Sequence, residues 1–160
     1  MLKITIACVG RLKERFYIDA ADEYLKRLSG YCSTDVIELS EYRLPAKPSA
    51  SLIMQALGKE RDAVVGKIPA ASKAIALCVE GRELSSPELL QLLFGYASSG
   101  TPHLCFIIGG SFGLHESVKN GADFKLSLSK MTFPHNLARI ILLEQLYRVF
   151  KISEGGKYHK

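Results

Sequence analysis

Apolar runs too short for helices alternate with amphipathic stretches along this chain. Leu2–Val9 is almost wholly apolar and predicts a first buried strand. From Lys13 to Ser29 the residues Phe16, Ala20, Tyr24, Leu25 and Leu28 recur near the helical period with charges between them, and Gly30 closes the run. A second strand is expected at Thr34–Leu39. The residues after it contain Pro45 and Pro48 and predict a loop, with Arg43 and Lys47 on a solvated lip. A helix over Ala50–Lys67 carries Leu52, Ile53, Ala56, Leu57, Val64 and Val65, is weakened by Gly58, and stops before Pro69. Ala74–Val79 predicts a third strand, with Glu80 to Glu83 as its exit. Ser85 or Ser86 then caps a helix with Pro87 and Glu88 in its first turn, running to Ser98. The last third predicts a strand at Leu104–Ile108, a short helix at His115–Asn120 and a strand at Phe124–Leu128. It closes with a long helix at Asn136–Ile152, whose wide apolar face includes Leu137, Ile140, Ile141, Leu143, Leu146, Tyr147 and Phe150. The alternation predicts an α/β fold: one domain over residues 1–160, with a mostly parallel five- to six-stranded sheet and helices on both faces.

Composition narrows the class. The 160 residues are enough for one full hydrophobic core, and no segment is long and apolar enough to be expected to cross a membrane. The run Leu2–Val9 leads straight into Arg11, Lys13 and Arg15 and reads as a strand, not as a secretory leader. Cys8, Cys32, Cys78 and Cys105 have no CxxC spacing, so buried thiols in a reducing cytoplasm are expected, with no metal site. The net charge of +5 is uneven: residues 101–160 hold 8 basic and 4 acidic side chains and all four histidines. Basic charge gathered there favours a phosphate-bearing partner.

The candidate chemistry lies between Leu104 and Arg139. Gly109, Gly110 and Gly113 follow a strand directly, where a sharp turn brings bare backbone N–H groups to a ligand. Gly109-Gly110-Ser111-Phe112-Gly113 also fits the G-x-S-x-G nucleophile elbow. Asp123 or Glu144, with His159, would complete a serine hydrolase at Ser111, although the chain is small for that class and lacks an HGGG-type segment. GxGxxG and GxxxxGK[ST] spacings are missing, and a non-catalytic nucleotide-binding module stands as a third reading. Ser129 to His135 forms a polar, restricted loop before the last helix. Arg139 and Arg148, nine positions apart, point to different faces of that helix, and Arg148 is set to pair with Glu144 at i, i+4. The terminal Lys157-Tyr158-His159-Lys160 combines a stacking ring, an imidazole and two cations, a composition suited to RNA.

At these residues the sequence resembles the RlmH family, small SPOUT-class methyltransferases that act on large-subunit ribosomal RNA. The resemblance is carried by Ile107 to Leu114, Leu126 to His135, Glu144 to Arg148 and Tyr158 to Lys160, and by the opening Ile6 to Lys13. It implies a SPOUT-type α/β fold with a C-terminal trefoil knot over about residues 104–152, a tail over 153–160, and a homodimer. It implies S-adenosyl-L-methionine as cofactor, held in a bent form by Leu77, Gly109 and the loop Leu128, Ser129, Lys130, Met131, Thr132 and Phe133. The implied reaction is N3-methylation of a pseudouridine in 23S rRNA, within the assembled ribosome.

Methyl displacement at a sulfonium leaves a neutral thioether and needs no acid, whereas an imide N3–H must lose its proton. A base, or cations that steady the anion, would supply this. His135, Arg139, Tyr158 and His159 are the catalytic candidates, with no order among them.

Overall fold

The structure, a computed structural model, describes residues 1–155. Five strands, β1 (Lys3–Val9), β2 (Ser33–Leu39), β3 (Lys73–Glu83), β4 (His103–Ile108) and β5 (Phe124–Ser127), form one sheet in the order β2-β1-β4-β3-β5. All four neighbouring pairs are parallel, so every strand ends on the same edge of the sheet. The helices are α1 (Arg15–Leu28), α2 (Ala50–Val65), α3 (Ser86–Ser98), α4 (Glu116–Gly121) and α5 (His135–Ser153).

The central strands β1 and β4 are apolar on both sides because both faces of the sheet are covered there. Ile4, Ile6, Cys8, Leu104, Phe106 and Ile108 pack toward α1, α3 and α5, meeting Ala21, Leu28, Leu89, Leu93 and Leu142. The intervening Ala7, Val9, Cys105 and Ile107 join Val64 of α2 and Val118 of α4 in the opposite core. This period of two is what a strand buried on both faces requires. Gly58 does not break α2, whose start is fixed by the Ser49 hydroxyl accepting from the Leu52 N–H. Ser85 is the cap of α3 and forms a full capping box with Glu88.

Two features depart from the expected pattern. β3 does not stop at Val79: after a register shift between Leu77 and Arg82 it pairs again, Arg82 with Leu126 and Glu83 with Ser127. The polar residues there read as a loop because only one neighbour, β5, covers them. The wide apolar face of α5 is also largely used inside the chain, since Leu142, Leu143, Leu146, Val149 and Phe150 are buried between α1, α3 and the sheet.

Three of the four cysteines are buried and Cys78 is partly so. Burial pushes the Cys8 thiol up to about 12 and Cys105 to about 11, so both are inert at neutral pH. Among the described residues no helix is long and apolar enough to cross a membrane.

Candidate active site

Parallel strands that end on one edge leave a crevice there wherever their exit loops diverge, and ligands of open α/β sheets bind in it. Here the irregular middle of β3 and the exits of β4 and β5 surround a cleft of about 750 Å³. Its walls are Leu77 to Glu80 at the register shift of β3, Ile108 to Leu114 at the end of β4, and Leu128, Ser129 and Met131 to His135 after β5. Of the expected cofactor residues, Leu77, Gly109, Leu128, Ser129, Met131, Thr132 and Phe133 all line it, while Lys130 lies in the same loop but outside the lining.

The glycine turn is as tight as its composition suggests. The Gly113 N–H donates to the Gly110 carbonyl at 3.0 Å, and the two residues form an isolated antiparallel bridge. A Cβ on Gly109 would fall 2.3 Å from the Gly113 carbonyl oxygen, so no other residue fits without opening the turn. The loop after β5 is held from within: the Ser127 hydroxyl donates to the Ser129 carbonyl at 2.9 Å, and the Met131 N–H donates to Ser129 Oγ at 3.0 Å. Phe112 and Met131 are left exposed at the rim.

The cleft also contains a charge pair that the sequence reading did not single out. Lys119 of α4 pairs with Glu80 and with Glu116, and both Lys119 and Glu80 are at or beside the lining. The Lys119 hydrogen bond, followed by nearby cations, holds the Glu80 carboxyl below its ordinary range. Burial works against the Lys119 charge, but its two carboxylates outweigh this and raise its pKa.

The candidate catalytic residues separate. His135 is the first residue of α5 and lines the cleft. The other described histidines are occupied elsewhere: His103 bonds Thr5 Oγ1 at 2.9 Å, and His115 Nδ1 caps α4 by accepting from the Ser117 N–H at 3.1 Å. Arg139 does not line the cleft. It is 3% exposed, with its guanidinium donating to Glu38 Oε1 and, at 3.0 Å, to the Gly10 carbonyl. This buried arginine thus ties α5 to the ends of β1 and β2. Arg148 pairs with Glu144 as the i, i+4 spacing predicts. Tyr158 and His159 lie outside the described residues.

Among the described residues, neither acid of the hydrolase constellation is bonded to Ser111. Asp123 is bonded to Lys73 and the Ala74 N–H at the far end of β3, and Glu144 to Arg148 and Gln145 on α5. The Ser111 hydroxyl instead donates to Glu41 at 2.8 Å. Glu41, from the loop after β2, and Gly10, whose φ of +98° no β-carbon tolerates well, support the cleft from behind its lining, beside Ser111 and His135, and neither was among the expected site residues. Gly10 directly after a strand was the one available signal; a lone glutamate seventy residues before the turn offers none.

The chain is similar to known proteins over nearly its whole length. The family model described as "Predicted SPOUT methyltransferase" matches residues 2–159. A protein of Clostridioides difficile strain 630 named "Ribosomal RNA large subunit methyltransferase H" is 44% identical over 159 residues, covering 99% of this chain and all of that protein. Proteins of the same name from Streptococcus equi subsp. zooepidemicus and Acetivibrio thermocellus are 42% and 43% identical over the same span, again covering 99% of this chain and all of each relative.

Proposed function

This chain belongs to the SPOUT methyltransferase family, and on that footing we propose that it methylates N3 of a pseudouridine in 23S rRNA, with S-adenosyl-L-methionine as donor. The observation that carries this reading is the convergence of the three expected loops on one cleft of about 750 Å³, a volume in the range of pockets that enclose a cofactor. The residues present fit the donor. Leu77, Leu114, Leu126 and Phe133 offer apolar walls for a base and a thioether chain. The Gly109–Gly113 turn, closed as tightly as glycine at 109 permits, lines the cleft with bare backbone. When bound, the donor supplies an electrophilic methyl whose transfer leaves a neutral group.

The chain's own work is then on the acceptor. His135, at the cleft edge, is placed to take the N3 proton as the imide becomes a nucleophile. Tyr158 and His159 of the tail are assigned to the target base, by stacking and hydrogen bonding. Arg139 is assigned to bracing the Gly10 turn beside His135. Holding the two reactants in one geometry contributes a large share of the acceleration. Residues 101–160, with 8 basic and 4 acidic side chains, supply the attraction to rRNA. The substrate in this reading is the assembled ribosome, in the cytoplasm. The reading includes the trefoil knot over about residues 104–152 and a homodimer built on α5 and its neighbour α1. A cavity of about 440 Å³ lined by Leu12, Ile18, Leu25 and Leu143, with Asp22, Glu38 and Arg139, opens on that side.

The test is incubation of ribosomes that lack the modification with methyl-labelled S-adenosyl-L-methionine, followed by digestion of the 23S rRNA to nucleosides. Label in N3-methylpseudouridine is expected. Label in any other nucleoside, or none from a protein that binds the donor, overturns the assignment.

A further inference from the structure

The glycine turn is held from outside by a carboxylate far away in sequence. Glu41, half-buried at the start of the β2–α2 loop, accepts two hydrogen bonds on Oε1, from the Ser111 N–H at 3.0 Å and the Ser111 hydroxyl at 2.8 Å. A methyl group on Gly110 would sit 2.9 Å from that same oxygen and 3.2 Å from Val9 Cγ1. The bare backbone at Gly110 is therefore what admits the carboxylate.

The other oxygen faces a different residue. The position a Gly10 Cβ would occupy is 3.7 Å from Glu41 Oε2 and 3.3 Å from His135 Nε2. Acid and imidazole thus both approach the bare side of Gly10, close enough to interact electrostatically. The loop carrying Glu41 is itself fixed to α2. The Tyr42 N–H donates to Glu60 at 3.1 Å, and the Lys59 ammonium reaches the Tyr42 hydroxyl at 3.0 Å. Burial pushes the Glu41 carboxyl up, but the two Ser111 bonds, with His135 and Lys13 nearby, outweigh it and hold it below the ordinary range. Glu41 is accordingly charged at neutral pH.

We propose that Glu41 is a positioning residue of the methyl-transfer site, fixing the glycine turn through Oε1 and presenting a negative charge to His135 through Oε2. The first bond set shapes the loop that receives the cofactor. The second places a fixed carboxylate charge beside the imidazole that receives the substrate proton. The inference rests on the reading of the cleft as a donor site and of His135 as proton acceptor.

Two substitutions separate the roles, read by calorimetric binding of S-adenosyl-L-methionine and by single-turnover methyl transfer. Glu41→Ala loses both functions, and a dissociation constant raised about tenfold with a rate lowered about tenfold or more is expected. Glu41→Gln keeps a carbonyl that accepts from Ser111 but carries no charge. Its affinity is expected within about twofold of wild type while the rate stays about tenfold down. Gly110→Ala displaces the carboxylate without altering it, and in the background of Glu41→Ala it is expected to add little. It also serves if thermal melting shows Glu41→Ala to be unfolded. Wild-type affinity and rate in Glu41→Ala, or a Glu41→Gln protein equal to wild type in both, overturns the inference. A wild-type protein that does not bind the donor at all refutes the parent reading instead.

Discussion

Replacing Arg139 with methionine separates a brace from a catalytic arginine. Methionine keeps the unbranched stem that packs inside α5 but removes the donors to Glu38 Oε1 and the Gly10 carbonyl. Removing one partner of a buried ion pair costs ~3–5 kcal/mol when the other is left dry. The Glu38 side chain is 33% exposed, so it rehydrates, and the cost falls to about 2–3 kcal/mol, the value of one or two charge-assisted hydrogen bonds. At ~2–4 °C per kcal/mol for a chain of this size, the melting temperature should drop by about 4–12 °C. The assay is thermal and urea unfolding at one fixed protein concentration, because dimerisation would otherwise shift the midpoint. A double-mutant cycle with Glu38→Gln should show a coupling of about 1–2 kcal/mol. Cofactor affinity should stay close to wild type. A variant as stable as wild type that binds donor and no longer transfers methyl would refute the reasoning, because it would place Arg139 on the substrate.

Asp123, which holds Lys73 and the Ala74 N–H, has its carboxyl pushed up by burial and more strongly down by those bonds, so its folded pKa lies below the unfolded value. Its contribution is therefore complete above the unfolded pKa of ~3.9 and is lost as pH falls through the folded one, so Asp123→Asn should cost about 1–2 kcal/mol at pH 7 and almost nothing near pH 2 in urea titrations; an equal deficit at both pH values contradicts this. Ser111→Ala should retain substantial methyl transfer because the backbone N–H still binds Glu41, and a covalent serine-hydrolase probe should leave Ser111 unlabelled; complete loss in a folded protein, or labelling, argues for a nucleophile. Deletion of Lys157 to Lys160 should leave donor affinity unchanged by calorimetry and lower the rate about 10²-fold or more; a fully active deletion under limiting ribosomes would show the tail to be dispensable.

The sheet was legible chiefly because its central strands, β1 and β4, are buried on both faces and so stand out as short apolar runs, Leu2–Val9 and Leu104–Ile108. Strand order was not, since nothing in the spacing of apolar residues says that β4 lies between β1 and β3. The second half of β3 was hidden because Glu80 to Glu83, paired only at an edge, carry the composition of a loop. The cleft was legible in part for a chemical reason: consecutive glycines after a strand mark backbone approach, and Gly109 meets backbone on contact. What escaped was the set of long-range polar partners. Arg139 offers the same helical spacing whether it faces substrate or Glu38, and only the fold decides. Glu41 sits in a proline-bearing loop with no motif around it, yet it touches the turn that the motif identified.

The account rests most heavily on the cleft at the middle of β3 and the ends of β4 and β5 being the donor site, and calorimetric titration of S-adenosyl-L-methionine into wild type and Gly109→Ala tests it most directly. A β-carbon at Gly109 would lie 2.3 Å from the Gly113 carbonyl oxygen, so the turn must open. Wild type is expected to bind the donor in the cleft and Gly109→Ala to lose at least about tenfold in affinity, with far-ultraviolet circular dichroism unchanged and a stability cost of about 1–3 kcal/mol. Equal affinity in the two proteins would place the donor elsewhere and contradict the account.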